Sequence, residues 1–240
     1  MTEAPLADGD LGLLVLLSAI AGLVDVTGFL QLGHVFTAHI TGNLVLLLAG
    51  SVRAASPPLA QLLSIPVFAV AIAAACLIAR RSGALLGRSV LLIAQALFLF
   101  LVLVLAVQPQ GQPPSVGVVA AMAAVAAMAF QNALIQVSLR ASWSTSVMTG
   151  NFVTAIVSLV GLLWTRSEAR RESLQKLRVT MPLVLGFTAG CLIGATGASR
   201  LGPWTWSIPA ALSVVAVPTG ARTPGSRAQQ ASSPVKRTRS

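Results

Sequence analysis

The chain has 240 residues, of which 55% are hydrophobic and only 9% are charged, and its mean hydropathy is +0.85. Soluble domains carry about 25% charged residues, so this composition excludes an ordinary soluble domain and indicates an integral membrane protein. The net charge of +10 does not indicate nucleic-acid binding. The basic residues cluster in two loops and the C-terminal tail, as in polytopic membrane proteins.

A membrane-spanning helix needs about 20 apolar residues, and several runs along the chain approach or reach that length. They cover residues 11–32, 59–79, 89–107, 116–137, 146–164 and 181–198, with shorter runs at 35–50 and 204–217. The N-terminus is acidic, and the first run is too long for the apolar part of a signal peptide. We therefore expect an all-α integral membrane protein without a cleaved leader.

A polar tripeptide is repeated where the sequence is otherwise lipid-like. Thr41-Gly42-Asn43 begins one apolar run, and Thr149-Gly150-Asn151 begins another 108 positions later. Glycine permits a tight turn, and the hydroxyl or carboxamide can cap the helix that follows. The amide groups freed by such a break could hold a polar or anionic solute near the membrane centre. The duplication favours a shared central site over two ordinary helix caps.

The repeat extends beyond this tripeptide. Small residues spaced four apart recur 115 positions later, so that Ala71, Ala75 and Ala79 correspond to Gly186, Gly190 and Gly194. Such spacing is typical of close helix packing in lipid. The two cysteines, Cys76 and Cys191, recur in register and fit no disulfide framework. We predict one membrane domain over 1–217, with repeat halves at about 11–107 and 116–217, followed by a disordered basic cytoplasmic tail over 218–240.

The distribution of basic residues selects a topology. The loops 80–88 and 165–180 and the tail together hold thirteen basic residues, whereas the outward-facing connections hold two. Because basic loops stay in the cytoplasm, both loops belong on one side, which requires one segment in each half not to cross. The Thr-Gly-Asn segments are the natural choice, as re-entrant or broken helices. Six crossing helices remain, three in each half, so the second half is inverted, and 165–180 is expected to form a short cytoplasmic helix.

Asp25 is the only acid inside a predicted span, and acids within membrane segments are functional by default. We interpret it as a proton- or cation-responsive residue. The alternative is a structural acid that accepts hydrogen bonds from a neighbouring helix or from backbone amides. Gln131 and Asn132 occupy the corresponding region of the second half, where Asn132 would share a helix face with Gln136. They are candidates for the same site or for hydrogen bonds between helices.

Residues that support metal or covalent chemistry are scarce. His34 and His39 flank the first Thr-Gly-Asn, but two histidines without a third ligand do not make a metal site, and we interpret them as structural or interfacial. The sequence lacks the motifs of metalloproteases, phosphate-binding loops and nucleophile elbows. We therefore expect no enzyme activity, no catalytic residue, no metal and no cofactor.

Two blocks of the sequence resemble the YoaK-like family of bacterial integral membrane proteins. The first block covers residues 21–30 and 33–43, the second covers 131–134 and 145–151, and the similarity extends over about 11–215. Members of that family are regarded as small-molecule transporters without settled substrates. The resemblance implies no catalytic residues, and the long basic tail departs from it. It implies the following shared positions for a substrate site: Asp25, Thr41, Gly42, Asn43, Gln131, Asn132, Thr149, Gly150 and Asn151.

These observations predict a transporter of an unknown small solute in the bacterial inner membrane. The solute would bind between the two Thr-Gly-Asn breaks, and Asp25 would couple its movement to protons or bias the access of cations. A passive channel of the same architecture and a non-transporting scaffold whose basic loop and tail recruit partners are the alternatives. The expected partners are the solute and membrane lipids, with no nucleic acid, and a homo-oligomer is compatible with the sequence.

Overall fold

The protein is described here by a computed structural model covering residues 8–52, 58–82, 84–109, 111, 113–138, 148–164 and 168–221. These ranges contain helices and no strand. The α-helices are α1 (Asp8–Gln31), α2 (Ile40–Val52), α3 (Leu59–Ser82), α4 (Ala84–Ala106), α5 (Pro114–Ala133), α6 (Met148–Trp164), α7 (Glu168–Arg200) and α8 (Ser207–Ala221). A π-helix at Leu134–Ser138 extends α5, and a 3₁₀ turn at Gly202–Trp206 precedes α8.

Five of the described helices are long and apolar enough to cross a membrane, namely those within α1, α3, α4, α5 and α7. The expected all-helical, multi-pass architecture is therefore confirmed. Helices α2 and α6 have 13 and 17 residues, and both are short for a crossing. The segment expected to cross at 204–217 instead divides into the 3₁₀ turn and the 15-residue α8.

Three boundaries differ from the sequence-based expectations. The predicted cytoplasmic helix at 165–180 is not separate, because α7 continues from Glu168 through Pro182 to Arg200. The predicted loop 80–88 is almost entirely helical, since α3 ends at Ser82 and α4 begins at Ala84. Helix α8 includes Pro218 and ends at Ala221, so the expected tail boundary at 218 was early.

Helices α1 and α7 pack in parallel along the predicted seam of small residues. A Cβ on Gly186 would lie 2.9 Å from the carbonyl oxygen of Val15, and one on Gly194 would lie 2.9 Å from that of Leu23. A Cβ on Gly190, between them, would overlap the carbonyl oxygen of Ala19. The contacts advance along both helices together, so the helices run in the same direction. The glycine seam is confirmed, and it allows the two backbones to approach closely.

The direction of the other long helices follows from contacts at the two ends of the bundle. Arg88 Nη2 donates to Asp10 Oδ1 at 2.6 Å, so α4 begins where α1 begins. We call this the Asp10 end. At the opposite end, Gln31, Leu105 and Pro114 line one cavity of about 620 Å³, so α1 and α4 end where α5 begins. We call this the cavity end.

Helices α3, α5 and α8 run towards the Asp10 end. Only one residue separates the end of α3 from the start of α4. Gln131, near the end of α5, donates to the Leu17 carbonyl at 3.0 Å. At the end of α8, a Cβ on Gly220 would overlap the Leu92 side chain, close to the start of α4. Helices α1, α4 and α7 therefore run in one direction, and α3, α5 and the shorter α8 run in the other.

We expect Gly190→Val to prevent α1 and α7 from packing, because the added carbons overlap backbone rather than a flexible side chain. Gly12→Val is the matched control, since a Cβ at Gly12 has no neighbour within 4 Å. Size-exclusion chromatography of the detergent-solubilised variants should show loss of the folded peak for Gly190→Val alone. Equal yield and equal thermal stability for the two variants would contradict the seam.

Candidate functional site

The eight residues between α1 and α2 form a partly buried, irregular segment. Gly33 and His34 begin it with φ values of +76° and +59°, in the left-handed region that non-glycine residues rarely adopt. Val35, Thr37 and Ala38 are buried, so the segment enters the protein instead of covering its surface. Backbone groups buried in this way need partners inside the protein.

Asp25 supplies the partner for two of those backbone amides. Its Oδ1 accepts hydrogen bonds from the Thr37 amide at 2.7 Å, the Thr37 hydroxyl at 2.8 Å and the Ala38 amide at 2.6 Å. Its Oδ2 contacts Nδ1 of His39, whose side chain is 30% exposed. Asp25 itself is only 3% exposed. The carboxylate therefore holds the segment between α1 and α2 against the side of α1. We call this set of contacts of Asp25 with Thr37, Ala38 and His39 the clasp.

Asn43, the last residue of the first Thr-Gly-Asn, holds the other part of the segment. Its Oδ1 accepts from the Phe36 amide and its Nδ2 donates to the Phe36 carbonyl, both at 2.7 Å. Nδ2 also donates to Ser64 Oγ on α3 at 2.9 Å. Gln61, one turn earlier on α3, donates to the His34 carbonyl at 3.2 Å. The segment thus joins α1, α2 and the start of α3.

The amides of Phe36, Thr37 and Ala38 are not free to bind a solute. Asp25 and Asn43 already occupy those amides. Asn43 also reaches back to the preceding segment, where simple capping of the following helix was expected. The physical reason is that a carboxylate and a carboxamide within reach satisfy buried donors in place of water.

The other two residues of the tripeptide have simpler surroundings. Thr41 is exposed on the first turn of α2, and Gly42 is half-buried. A Cβ on Gly42 would lie 2.7 Å from Cδ2 of the Phe36 ring. Glycine is required here for space, since the ring lies directly over the α2 backbone. Thr149, Gly150 and Asn151 show the same order at the start of α6, being exposed, half-buried and buried. The segment before them, 139–147, lies outside the described residues.

Gln131 and Asn132 belong to a different part of the bundle. Gln131 accepts from Gln95 Nε2 at 2.8 Å and donates to the Leu17 carbonyl, while Asn132 donates to the Met128 carbonyl at 2.9 Å within its own helix. Leu17 precedes Asp25 by eight residues, or about 12 Å along a helix. The structure therefore does not bring these amides together with the Asp25 site.

The predicted shared face of Asn132 and Gln136 is wrong. Asn132 is buried, whereas Gln136 is exposed. The π-helix that begins at Leu134 changes the number of residues per turn, so the i, i+4 relation of a regular helix does not hold across it.

Several residues of the Asp25 site were not found from the sequence. His39 was interpreted as structural or interfacial, yet it contacts the carboxylate of Asp25 directly. Its ring also packs edge-on against Phe187 of α7, with centroids 5.3 Å apart. Ser64 and Gln61 carried no sequence signal apart from being polar residues within an apolar span. His39 did carry a sequence signal, because a titratable side chain two residues before a polar break is a candidate to pair with the nearest acid.

These features define a multi-pass, all-helical membrane protein whose first break is held by a buried carboxylate. A family described as "Protein of unknown function (DUF1275)" matches residues 13–218, and the chain belongs to this family. A 35-residue stretch is 69% identical to the "UPF0700 transmembrane protein YoaK" of Bacillus subtilis (strain 168), covering 15% of this chain and 16% of that protein's length. No solved structure matches. The YoaK-like resemblance is thereby confirmed.

We expect Asp25→Asn to preserve the fold and Asp25→Leu to destabilise it. The asparagine Oδ1 can still accept from Thr37 and Ala38, and its Nδ2 can donate to neutral His39. Leucine leaves the three donors without an acceptor, at about 1–3 kcal/mol for each buried group. Thermal unfolding in detergent measures the difference. Equal melting temperatures for the two variants would show that the clasp does not stabilise the protein.

Gly42→Val should displace the Phe36 ring and loosen the buried segment. Gly50→Val, on the same helix, is the control, because a Cβ at Gly50 has no neighbour within 4 Å. Limited proteolysis should cut the first variant between α1 and α2 and leave the second protected there. Protection in both variants would mean that the ring contact is easily relieved.

Proposed function

We propose that this protein transports a small solute across the bacterial inner membrane, using two halves of inverted topology, α1–α4 and α5–α8. The observation that carries the proposal is the contact between Arg88 and Asp10, which makes α1 and α4 parallel. Inverted repeats with broken helices are characteristic of secondary transporters.

The parallel arrangement restricts how α2 and α3 cross the membrane. Since α1 leaves the Asp10 end and α4 begins there, the chain between them crosses once in total. Helix α3, with 24 residues, is long enough to cross. Helix α2 has 13 residues and a length of about 20 Å, against about 30 Å for the hydrocarbon core. We assign the crossing to α3 and treat α2 as re-entrant.

The second half supports the same assignment. Helix α5 ends at the Asp10 end, and α7, parallel to α1, begins there. The intervening α6 therefore returns to its starting side. Helix α8 with its 3₁₀ turn covers residues 202–221 and runs antiparallel to α4 along its length, so we count it as the sixth crossing.

Among the crossing helices, each helix of the first half packs on a helix of the second half, and the pairing is reciprocal. Helix α1 packs on α7 while α5 packs on α3, and α4 packs on α8. Exchanging α1 with α5, α3 with α7 and α4 with α8 leaves this set of pairs unchanged. Such reciprocity is what a two-fold axis in the membrane plane produces. We assign the Asp10 end to the cytoplasm, because Arg80, Arg81 and Arg88 lie there.

The Asp25 site supplies a means of coupling to protons. The Oδ1 of Asp25 is occupied by three donors, whereas its Oδ2 contacts, among the described residues, only the partly exposed His39. A proton gained or lost by this pair changes the contact that holds the start of α2. We therefore assign proton response to the pair, with no enzyme activity and no cofactor in the transport cycle.

Transport is tested with purified protein in liposomes offered a panel of metabolites, with and without a pH gradient. We expect accumulation of at least one solute relative to empty liposomes, stimulation by the gradient, and loss of that stimulation in Asp25→Asn. Solute movement down its own concentration gradient that is unaffected by the pH gradient would identify a passive channel. Absence of movement for every solute would contradict transport and favour a scaffold.

Topology is tested with single cysteines in a background carrying Cys76→Ala and Cys191→Ala. An impermeant thiol reagent added outside intact cells should label Val52→Cys and Gln108→Cys, but not Gln175→Cys. Val52, at the end of α2, is 87% exposed and faces outward only if α2 does not cross. Protection of Val52→Cys until the cells are permeabilised would contradict a re-entrant α2.

A further inference from the structure

The buried face of α4 carries two polar side chains in an otherwise apolar row. Arg88 and Gln95 are seven residues apart and therefore on one face, with buried Leu92, Leu99 and Val102 beside them. Gln95 is fully buried, its Nε2 donates to Gln131, and its Oε1 has no hydrogen-bond partner among the described residues. Arg88 Nε likewise has none.

A third buried polar atom without a hydrogen-bond partner among the described residues lies beside the cavity end of α4, in the neighbouring 3₁₀ turn. Trp206, fully buried in the 3₁₀ turn that packs on α4, has no described partner for its Nε1. Arg88 precedes Gln95 by about 10 Å along α4, and Leu105 follows it by about 15 Å. Unpartnered polar atoms thus occur near both ends and the middle of the bundle. Buried polar groups normally have hydrogen-bond partners, so the presence of several such atoms without a partner along one side of α4 calls for an explanation.

The ends of the row differ. At the cavity end, the cavity of about 620 Å³ is lined by Gln31, Gln108, Leu105 and Trp206 among others, and no charged side chain lines it within the described residues. At the Asp10 end, the buried Arg88 is paired with Asp10, and Gly220 lies against Leu92. The bundle is therefore open at one end of the row and closed at the other.

We propose that the solute passes along the buried face of α4, entering from the cavity, hydrogen-bonding to Gln95 midway and leaving when the Arg88–Asp10 pair separates. This deepens the proposed function and rests on it. A charged solute would find no counter-charge before Arg88 and Asp10, at the far end, and an unpaired charge is costly away from water. The geometry therefore points to a small, uncharged solute with hydrogen-bonding groups.

The test places single cysteines at Gln95 and at Leu97 in the protein carrying Cys76→Ala and Cys191→Ala. The two positions lie at nearly the same depth, but Leu97 is 64% exposed on the outer surface of the bundle, where lipid would cover it. The probes are three methanethiosulfonates of similar size, with a neutral hydroxyethyl, an anionic sulfonatoethyl or a cationic trimethylammonium group. Reconstituted protein is labelled from the cavity end.

We expect the neutral reagent to modify Gln95→Cys at least tenfold faster than Leu97→Cys, and at least tenfold faster than either charged reagent does. Adding Asp10→Asn should open the other end and raise labelling of Gln95→Cys from that side. Equal rates at the two cysteines, in protein that elutes as a folded peak, would overturn the path. Equal rates for neutral and charged reagents would overturn the solute class.

The readout is independent of the proposed function. Labelling of Gln95→Cys in a protein that moves no solute would support the path while contradicting transport. Solute uptake without labelling would leave transport standing and refute this path. A Gln95→Ser variant, which retains a small polar group, should keep its folded peak and provides the stability control.

Discussion

The structure depends on how the backbone of the segment between α1 and α2 is hydrogen-bonded away from water. A chain that interrupts its helices within a membrane exposes amide and carbonyl groups that lipid cannot satisfy. Side-chain atoms of Asp25 and Asn43 satisfy the amides of Phe36, Thr37 and Ala38 and the carbonyl of Phe36. Because these groups are satisfied, α2 can begin beside α1, and α3 can start where α1 ends.

The glycine seam places this clasp next to α7. A Cβ on Gly22 would overlap the Phe187 carbonyl, so only glycine at position 22 permits α1 to lie this close. The same Phe187 packs its ring against His39. A movement of α7 relative to α1 would therefore change the packing of Phe187 on the histidine that contacts the Asp25 carboxylate. Under the proposed function, a proton gained or lost by Asp25 and His39 would act beside this closely packed helix pair.

The sequence predicted the parts of this arrangement that depend on the spacing of apolar and small residues and on the free-energy cost of burying a charge. The length of the apolar runs identified the long helices, and the four-residue spacing of small residues identified the seam at Gly186, Gly190 and Gly194. The free-energy cost of a carboxylate within a membrane span singled out Asp25. It did not predict the partners of Asp25, because three donors from an irregular segment become neighbours only when left-handed residues at Gly33 and His34 turn the chain back.

Other differences have local physical causes. The continuity of α7 through Pro182 depends on tertiary packing that outweighs one lost backbone hydrogen bond. The separation of Asn132 from Gln136 depends on a π-helix, which has no simple sequence signature. The convergence of the two Thr-Gly-Asn segments on one site was inferred from symmetry alone. An inverted repeat can instead place corresponding residues at different depths, as the contact of Gln131 with Leu17, eight residues before Asp25, indicates.

The claim that side chains replace water at the break is tested most directly by amide hydrogen exchange of the protein in lipid nanodiscs. The amides of Phe36, Thr37 and Ala38 should exchange as slowly as those in the middle of α1, although they lie outside any helix. Asp25→Leu should accelerate Thr37 and Ala38 while leaving the middle of α1 protected. Rapid exchange of these three amides in the unmodified protein would contradict the account.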